Sequence, residues 1–180
     1  IYHGIIYDKN ENFSALSFNK NITVINSFSK YFAMTGWRLG WIIMPEKHIE
    51  IINKLAMNLY LSPSSLSQSA ALAAFDDYKE LDSYVNQYNK NRDILINGLR
   101  AVGINQFIIP KGAFYLYIDI SHLKINSIEF CSKMLYEAKV SGVPGLDFDR
   151  ERGNNFIRLS YAGDERDIVE SVKRINNWLK

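Results

Sequence analysis

The sequence predicts an α/β protein in which a strand-rich first part is followed by one long helix and then by a smaller α+β unit. Three features support this prediction. The continuous apolar run at residues 39–44, closed by Pro45, is typical of a strand covered on both faces in a parallel sheet. Residues 78–102 form a long helical stretch with mostly polar faces, which is typical of a helix that bridges two subdomains. Strand-like alternation then returns after Gly103.

The first part begins with two short segments that are rich in apolar and β-branched residues. Residues 1–7 and 22–26 are therefore predicted to be strands, with a polar turn at residues 8–12. From Glu46 to residue 59 the apolar residues recur at helical spacing, so this segment is predicted to be a helix.

A run of serine and proline then interrupts the helical pattern. Residues 62–65 break the helix, and a serine there can cap the next one, an alanine-rich helix predicted at residues 66–75. Gly103 is suited to ending the long helix, because glycine readily adopts the left-handed conformation that closes a helix.

The last part alternates short strands with two helices. The predicted strands are residues 106–109, 113–118 and 156–160, and the predicted helices are residues 127–138 and 165–179.

Composition excludes several classes of protein. The net charge is only +2 and the basic residues are scattered, so a nucleic-acid interface is not expected. No apolar run approaches the roughly 20 residues that a membrane-spanning helix needs. The three histidines, His3, His48 and His122, lack the spacing of metal ligands, so no metal is expected. Cys131 is the single cysteine, which excludes an intramolecular disulfide and fits a cytoplasmic protein.

A lysine follows the predicted strand at residues 22–26. Lys30 ends the tetrapeptide Ser-Phe-Ser-Lys, and Arg38 follows eight residues later between Gly36 and Gly40. A lysine amine can form a Schiff base with an aldehyde, while hydroxyl groups and a guanidinium suit a phosphate dianion. An aldehyde and a phosphate on one ligand describe pyridoxal phosphate. From these residues alone, a simple solvated lysine remains the alternative.

The longer pattern Ser-x-Ser-Lys followed by Gly-x-Arg-x-Gly, at residues 27–40, resembles the lysine signature of class I/II aminotransferases that depend on pyridoxal phosphate. Residues 33–38 are most similar to the bacterial aspartate-aminotransferase-like branch. The resemblance covers essentially the whole chain and implies the C-terminal portion of the fold-type-I architecture. Residues 1–95 would complete the large cofactor-binding domain, and residues 96–180 would form the small C-terminal domain.

The resemblance also implies roles for individual residues. Lys30 matches the lysine that holds pyridoxal 5'-phosphate and carries the proton, and Tyr2 matches the tyrosine that hydrogen-bonds the cofactor's ring oxygen. Ser27 and Arg38 match the phosphate ligands, with Ser29 either a further ligand or only a cap of the turn. Arg158 matches the arginine that binds the α-carboxylate of the substrate. Two further segments, residues 112–115 and 143–148, resemble the family's Gly-x-Phe-Tyr strand and Pro-Gly-x-x-Phe loop.

The implied reaction is transamination between an amino acid and a 2-oxo acid, in a homodimer. Two alternatives stay open. One is a carbon–sulfur lyase or related synthase of the same fold, although residues 34–37 favour a transaminase. The other is a non-catalytic regulatory domain of aminotransferase-like fold.

The resemblance further implies that functional residues precede Ile1. In the family, the aspartate that pairs with the pyridine nitrogen lies just before the position of Tyr2. The chain also starts within an apolar stretch and without an initiator methionine. We therefore expect a fragment that is inactive alone, with the activity in a longer parent chain. A partial sheet is also expected to expose strand edges and an apolar face, which would favour association.

Overall fold

The computed structural model of the protein describes residues 1–8 and 13–180. Contacts within the chain divide it into two units, Ile1–Val85 and Asn86–Lys180. This division and the domain boundary predicted after residue 95 both fall inside the same long helix. The turn predicted at residues 8–12 lies, apart from Asp8, outside the described residues.

The first unit contains a two-stranded sheet. β1 (Val24–Ser27) pairs with β2 (Gly40–Ile43), from Val24 opposite Ile43 to Ser27 opposite Gly40. The prediction of a parallel sheet is wrong for these two strands, because they run antiparallel. A continuous apolar run indicates which faces can be buried, but it does not fix the direction of the neighbouring strand. Both strands also carry exposed isoleucines, namely Ile25, Ile42 and Ile43.

The strand predicted at residues 1–7 is replaced by a turn. The Ile5 amide donates to the Tyr2 carbonyl at 3.0 Å, and Gly4 has a φ of +97°. Such a φ is open to glycine and strained for other residues, so Gly4 overrides the strand preference of its neighbours. Ile5 is buried and anchors this segment.

Two helices complete the regular structure of the first unit before the long helix begins. α1 is Ile49–Leu59 and α2 is Ser65–Ala74. The predicted start of α1 at Glu46 is three residues early, because residues 46–48 form a 3₁₀ turn, and the other three ends agree within one residue. The Ser64 hydroxyl caps α2 by accepting from the Ser67 amide at 3.4 Å. A small core cluster lies between α2 and the sheet; its members are Phe28, Met34 and Ala71, with Phe32, Leu39, Trp41, Ala70 and Ala74 packed against them.

The long helix α3 is Tyr78–Ala101, followed by Gly103 with a φ of +85°, which confirms glycine as the residue that ends it. Its C-terminal half is less polar than its overall composition suggests. Leu95, Ile96 and Leu99 are all buried in the second unit. These residues occur at helical spacing, so one stripe of α3 faces the core there.

The second unit is a three-stranded antiparallel sheet covered by helices. The strand order is β3 (Tyr115–Asp119), β5 (Phe156–Ser160), β4 (Val143–Pro144), and the other elements are α4 (Ser127–Lys133), a π-helical extension (Met134–Ala138) and α5 (Glu165–Trp178). The predictions for β5, α4 and α5 are confirmed. The strand predicted at residues 106–109 is reduced to one bridge, Phe107 to Ile118, because Pro110 has no amide to continue the ladder. The two-residue β4 is too short to show a period in sequence.

Buried and less buried side chains alternate along β3 and β5, and the buried ones form the core of this unit. Leu116, Ile118, Ile157 and Leu159 are almost fully buried, and the residues between them face the other side of the sheet. Cys131 is also buried, and burial raises the pKa of its thiol to about 11.

Packing of α3 against α5 depends on Gly98. A Cβ at Gly98 would overlap Cγ1 of Val172 on α5. Alanine normally stabilises a helix interior by about 1 kcal/mol relative to glycine. Here we expect Gly98→Ala to destabilise the protein by about 1–3 kcal/mol, because the overlap forces a stiff β-branched side chain or the helices to shift. Urea denaturation measures the effect. Gly163→Ala is the control, since a Cβ there meets no atom within 4 Å; a Gly98→Ala protein as stable as wild type would contradict the packing.

Candidate active site

The loop after β1 is held by two buried side chains. Phe28 and Met34 both lie in the core, and the Met34 amide donates to the Phe28 carbonyl at 3.1 Å. The Phe28 amide in turn donates to the Leu39 carbonyl at 3.1 Å. These bonds close the loop at its base, so Ser29 and Lys30 are presented from a fixed turn rather than from a flexible segment.

Hydrogen bonds connect the two serines of this loop to Arg38. The Ser27 hydroxyl donates to the Ser29 hydroxyl at 2.8 Å and accepts from the Ser29 amide at 3.0 Å. The Thr35 hydroxyl donates to the Ser29 carbonyl at 2.6 Å, and Nη1 of Arg38 donates to the Thr35 carbonyl at 3.0 Å. The hydroxyl groups of Ser27 and Ser29 and the Arg38 guanidinium therefore belong to one hydrogen-bonded loop. Together they are a set of donors suited to phosphate.

The backbone at Arg38 is unusual. Arg38 has a φ of +54°, in the left-handed region that non-glycine residues seldom adopt. Such conformations cost on the order of 1–3 kcal/mol and tend to occur at functional sites. No carboxylate within residues 1–8 and 13–180 forms an ion pair with Arg38, so its charge is not neutralised there.

The two glycines that flank Arg38 differ in their roles. A Cβ at Gly40 would lie 2.6 Å from the Asn26 carbonyl oxygen, so glycine permits the close pairing of β1 and β2. A Cβ at Gly36 would meet nothing within 4 Å, so neither a close approach nor a strained φ explains this glycine.

Lys30 lies beside Tyr2. Its Nζ is 5.7 Å from the centre of the Tyr2 ring, and both residues are half-buried. The segment that carries Tyr2 packs closely on the residue after the lysine, because a Cβ at Gly4 would lie 2.7 Å from the Tyr31 ring. The Tyr31 hydroxyl donates to Oδ1 of Asp82 at 2.7 Å, and burial together with this carboxylate raises the pKa of Tyr31. The contact between Gly4 and Tyr31 thus keeps Tyr2 near Lys30.

Arg158 lies in the middle of β5, in the second unit. Its guanidinium carbon is 4.1 Å from the centre of the Tyr115 ring and 4.2 Å from that of the Phe148 ring. In the part of the chain that the structure describes, no carboxylate lies within ion-pairing distance of this half-buried guanidinium. A cation of this kind is suited to a carboxylate ligand, which it can bind with two parallel hydrogen bonds.

The structure therefore brings four of the five predicted site residues into the first unit: Tyr2, Ser27, Lys30 and Arg38. Arg158 belongs to the second unit. The donors in the first unit fit pyridoxal phosphate in kind, because they offer an amine for the aldehyde, a phenol for the ring oxygen, and hydroxyl and guanidinium groups for the phosphate.

The sequence interpretation did not assign roles to Thr35, Tyr115 or Phe148. Thr35 joins Ser29 to Arg38, while the two rings contact Arg158. The alternation of side chains along β3 shows which face of the sheet Tyr115 shares, but not which residue it meets. That follows only from the pairing of β3 with β5, which places Tyr117 opposite Arg158 and Tyr115 diagonal to it. No periodic signal indicates Phe148, because it lies in a turn.

Comparison with known proteins identifies the family to which the chain belongs. The family model for aminotransferase class I and II matches residues 1–175. The chain therefore belongs to this family, which confirms the class and the fold that the lysine motif implied.

Particular relatives agree with this assignment. The chain is 43% identical to valine–pyruvate aminotransferase of Mycobacterium tuberculosis, over 99% of the chain and 47% of the relative. It is 36% identical to an aspartate aminotransferase of Sulfurisphaera tokodaii, over 88% of the chain and 41% of the relative. The crystal structure of an aminotransferase from Mycobacterium tuberculosis superimposes with a TM-score of 0.95, at 43% identity, over 99% of the chain and 47% of that structure.

The chain thus spans about half the length of the curated relatives that it matches. Within residues 1–8 and 13–180, no helix is both long and apolar enough to cross a bilayer.

Proposed function

We propose that the protein transfers an amino group between an amino acid and a 2-oxo acid, with pyridoxal 5'-phosphate held by Lys30. The observation that carries the proposal is the loop after β1. In a member of the aminotransferase family, this loop presents Lys30 beside the Tyr2 phenol and on the same turn as a serine pair and Arg38. A solvated surface lysine would need none of these neighbours.

Each residue of the first unit has a distinct part in this proposal. Pyridoxal phosphate, when bound, supplies an aldehyde and a ring that accepts the electron pair of the substrate's Cα–H bond. The Lys30 amine would hold the cofactor through that aldehyde, and its Nζ would carry the proton. The Tyr2 hydroxyl would donate to the ring oxygen. Ser27 and Arg38 would bind the phosphate and thereby fix the position of the ring.

Arg158 would bind the substrate's α-carboxylate. Its planar guanidinium matches the geometry of a carboxylate. Among the described residues it contacts two aromatic rings and forms no ion pair. The substrates would be amino acids and their 2-oxo acids. The names of the relatives, valine–pyruvate and aspartate aminotransferase, support this class of substrate without selecting one member.

We propose that catalysis requires more than this chain, because the chain spans about half of its relatives. Residues 1–95 would contribute to the large cofactor-binding domain, and residues 96–180 would form the small domain. The exposed apolar side chains of β1, β2 and α1, including Ile25, Ile42 and Met57, support a covering partner for the first unit. The complete protein would act as a homodimer in the cytoplasm.

The test is amino transfer by the complete protein that carries this sequence. With pyridoxal phosphate, an amino acid labelled with ¹⁵N and an unlabelled 2-oxo acid, we expect the label in the newly formed amino acid, detected by mass spectrometry. A panel of valine, aspartate, an aromatic amino acid and a sulfur-containing amino acid covers the substrate class. Release of ammonia and a thiol, without transfer of the label, would instead indicate a lyase. Binding of the cofactor without any reaction would indicate a regulatory domain.

A further inference from the structure

The guanidinium of Arg158 is oriented by two aromatic rings that belong to different elements. Tyr115 is the first residue of β3, and Phe148 follows the short 3₁₀ turn Gly145–Asp147. Both ring centres lie within 4.2 Å of the guanidinium carbon. A guanidinium that contacts ring faces keeps its N–H groups in its own plane, so their hydrogen bonds are directed past the rings.

The turn that carries Phe148 is tightly built. The amides of Phe148 and Asp149 both donate to the Gly145 carbonyl at 2.9 Å, and the Gly153 amide donates to the Asp149 carbonyl at 2.9 Å. A Cβ at Gly145 would lie 2.5 Å from the Gly153 carbonyl oxygen, so the two glycine backbones touch. This closely packed turn holds Phe148 in place although half of the residue is exposed, at 51%.

The Asp149 side chain closes the same turn. Its Oδ1 accepts from the amides of Glu151 and Arg152, both at 3.0 Å, and its Oδ2 accepts from Nε of Arg152 at 3.1 Å. These hydrogen bonds, that of the Arg152 amide first, hold the pKa of Asp149 below its usual range. A ring that served only to cover the core would not need an exposed position on so constrained a turn.

Tyr115 is constrained by the sheet. It pairs with Ser160 on β5, two residues from Arg158, so its side chain lies diagonal to the arginine on the same face. Tyr117 is directly opposite Arg158, and its ring stacks on Phe156 with centroids 4.9 Å apart. The Tyr117 ring thus packs against Phe156, whereas the Tyr115 ring contacts the guanidinium.

We propose that Phe148 and Tyr115 are positioning residues that fix the plane of the Arg158 guanidinium, so that its N–H edge receives the substrate carboxylate in one orientation. This inference rests on the proposed function for the role of Arg158. The ring contacts themselves can be tested without turnover.

The first readout is the Nε–H resonance of Arg158 in complete protein labelled with ¹⁵N-arginine. Arg158→Lys identifies the resonance by its loss. Protons above aromatic rings resonate upfield, so we expect an upfield position in wild type and a downfield shift in Phe148→Leu and in Tyr115→Leu. Phe148→Tyr and Tyr115→Phe keep the rings and should keep the position. Tyr136→Leu removes an exposed ring of the same unit and is the matched control.

The second readout is carboxylate affinity. In the holoenzyme, we expect Phe148→Leu and Tyr115→Leu each to raise KM for the amino acid about tenfold, because a misaligned fork loses hydrogen-bond geometry. The kcat should fall by a smaller factor, and the ring-retaining variants should restore KM. Titration with succinate, followed at the same resonance, measures carboxylate binding independently of amino transfer and should weaken by the same factor.

The outcomes separate the two proposals. Absence of amino transfer by wild type, with succinate still shifting the Arg158 resonance and the ring variants still weakening it, removes the proposed reaction and keeps the positioning role. An Arg158 resonance that neither leucine variant moves overturns the positioning role. So does an unchanged affinity for succinate in both leucine variants, or a wild-type resonance that succinate does not move.

Discussion

Replacement of Lys30 by alanine is expected to abolish amino transfer, with kcat reduced by at least about a thousandfold. The lysine has two tasks in the proposed reaction, since it holds the cofactor and moves the proton. A positioned proton-transfer group alone contributes on the order of a hundred- to ten-thousandfold. The visible absorbance that pyridoxal phosphate acquires on a protein lysine should also disappear. Both effects are measured on the complete protein, by turnover and by titration with the cofactor.

Lys47→Ala is the matched control for this experiment. Lys47 is an exposed lysine of the same unit, in the 3₁₀ turn before α1. It should retain wild-type turnover and absorbance. Thermal unfolding of both variants tests whether the fold is retained, because Lys30 lies in a loop whose buried anchors are Phe28 and Met34. A Lys30→Ala protein with undiminished turnover would contradict the assignment of this residue.

Replacement of Arg158 by alanine should lower kcat/KM for every amino-acid substrate by about a thousandfold. Loss of a charged partner from a paired site costs about 2–5 kcal/mol, and each 1.4 kcal/mol corresponds to a factor of ten. The loss should be similar for valine and for aspartate as substrates, because both carry the same α-carboxylate. Steady-state kinetics on the two substrates measure it.

Arg158→Lys separates charge from geometry. Lysine keeps the positive charge but lacks the planar fork, so we expect partial recovery, to roughly a tenfold to hundredfold loss. If Arg158→Ala affected one substrate and spared the other, the arginine would contact the substrate side chain rather than the α-carboxylate. Such a result would refute this part of the account.

Much of the fold could be predicted because local signals and packing agree. Helical spacing predicts α1 and α5, and the serine before α2 and the glycine after α3 mark the ends of helices. The failures have different causes. The direction of β2 depends on its pairing partner, which a single segment does not encode. The strand predicted at residues 1–7 is lost at Gly4, and the one predicted at residues 106–109 is cut short before Pro110.

For the site, too, local features could be predicted from the sequence and contacts between separate segments could not. The motif at residues 27–40 predicts the lysine and the ligands of the cofactor's phosphate, because those residues lie in one loop and their spacing is specific. The ring contacts of Arg158 could not be predicted, because Tyr115 contacts it from the neighbouring strand and Phe148 contacts it from a turn. The close approach of Gly4 to Tyr31, which keeps Tyr2 near Lys30, also joins distant segments and leaves no local signal.

Chemical trapping shows directly whether Lys30 holds the cofactor. The complete protein is incubated with one equivalent of pyridoxal phosphate, reduced with borohydride and digested, and the modified lysine is located by mass spectrometry. We expect a single predominant adduct, on the peptide that contains Lys30. An adduct spread over exposed lysines such as Lys47, with Lys30 unmodified, would contradict it.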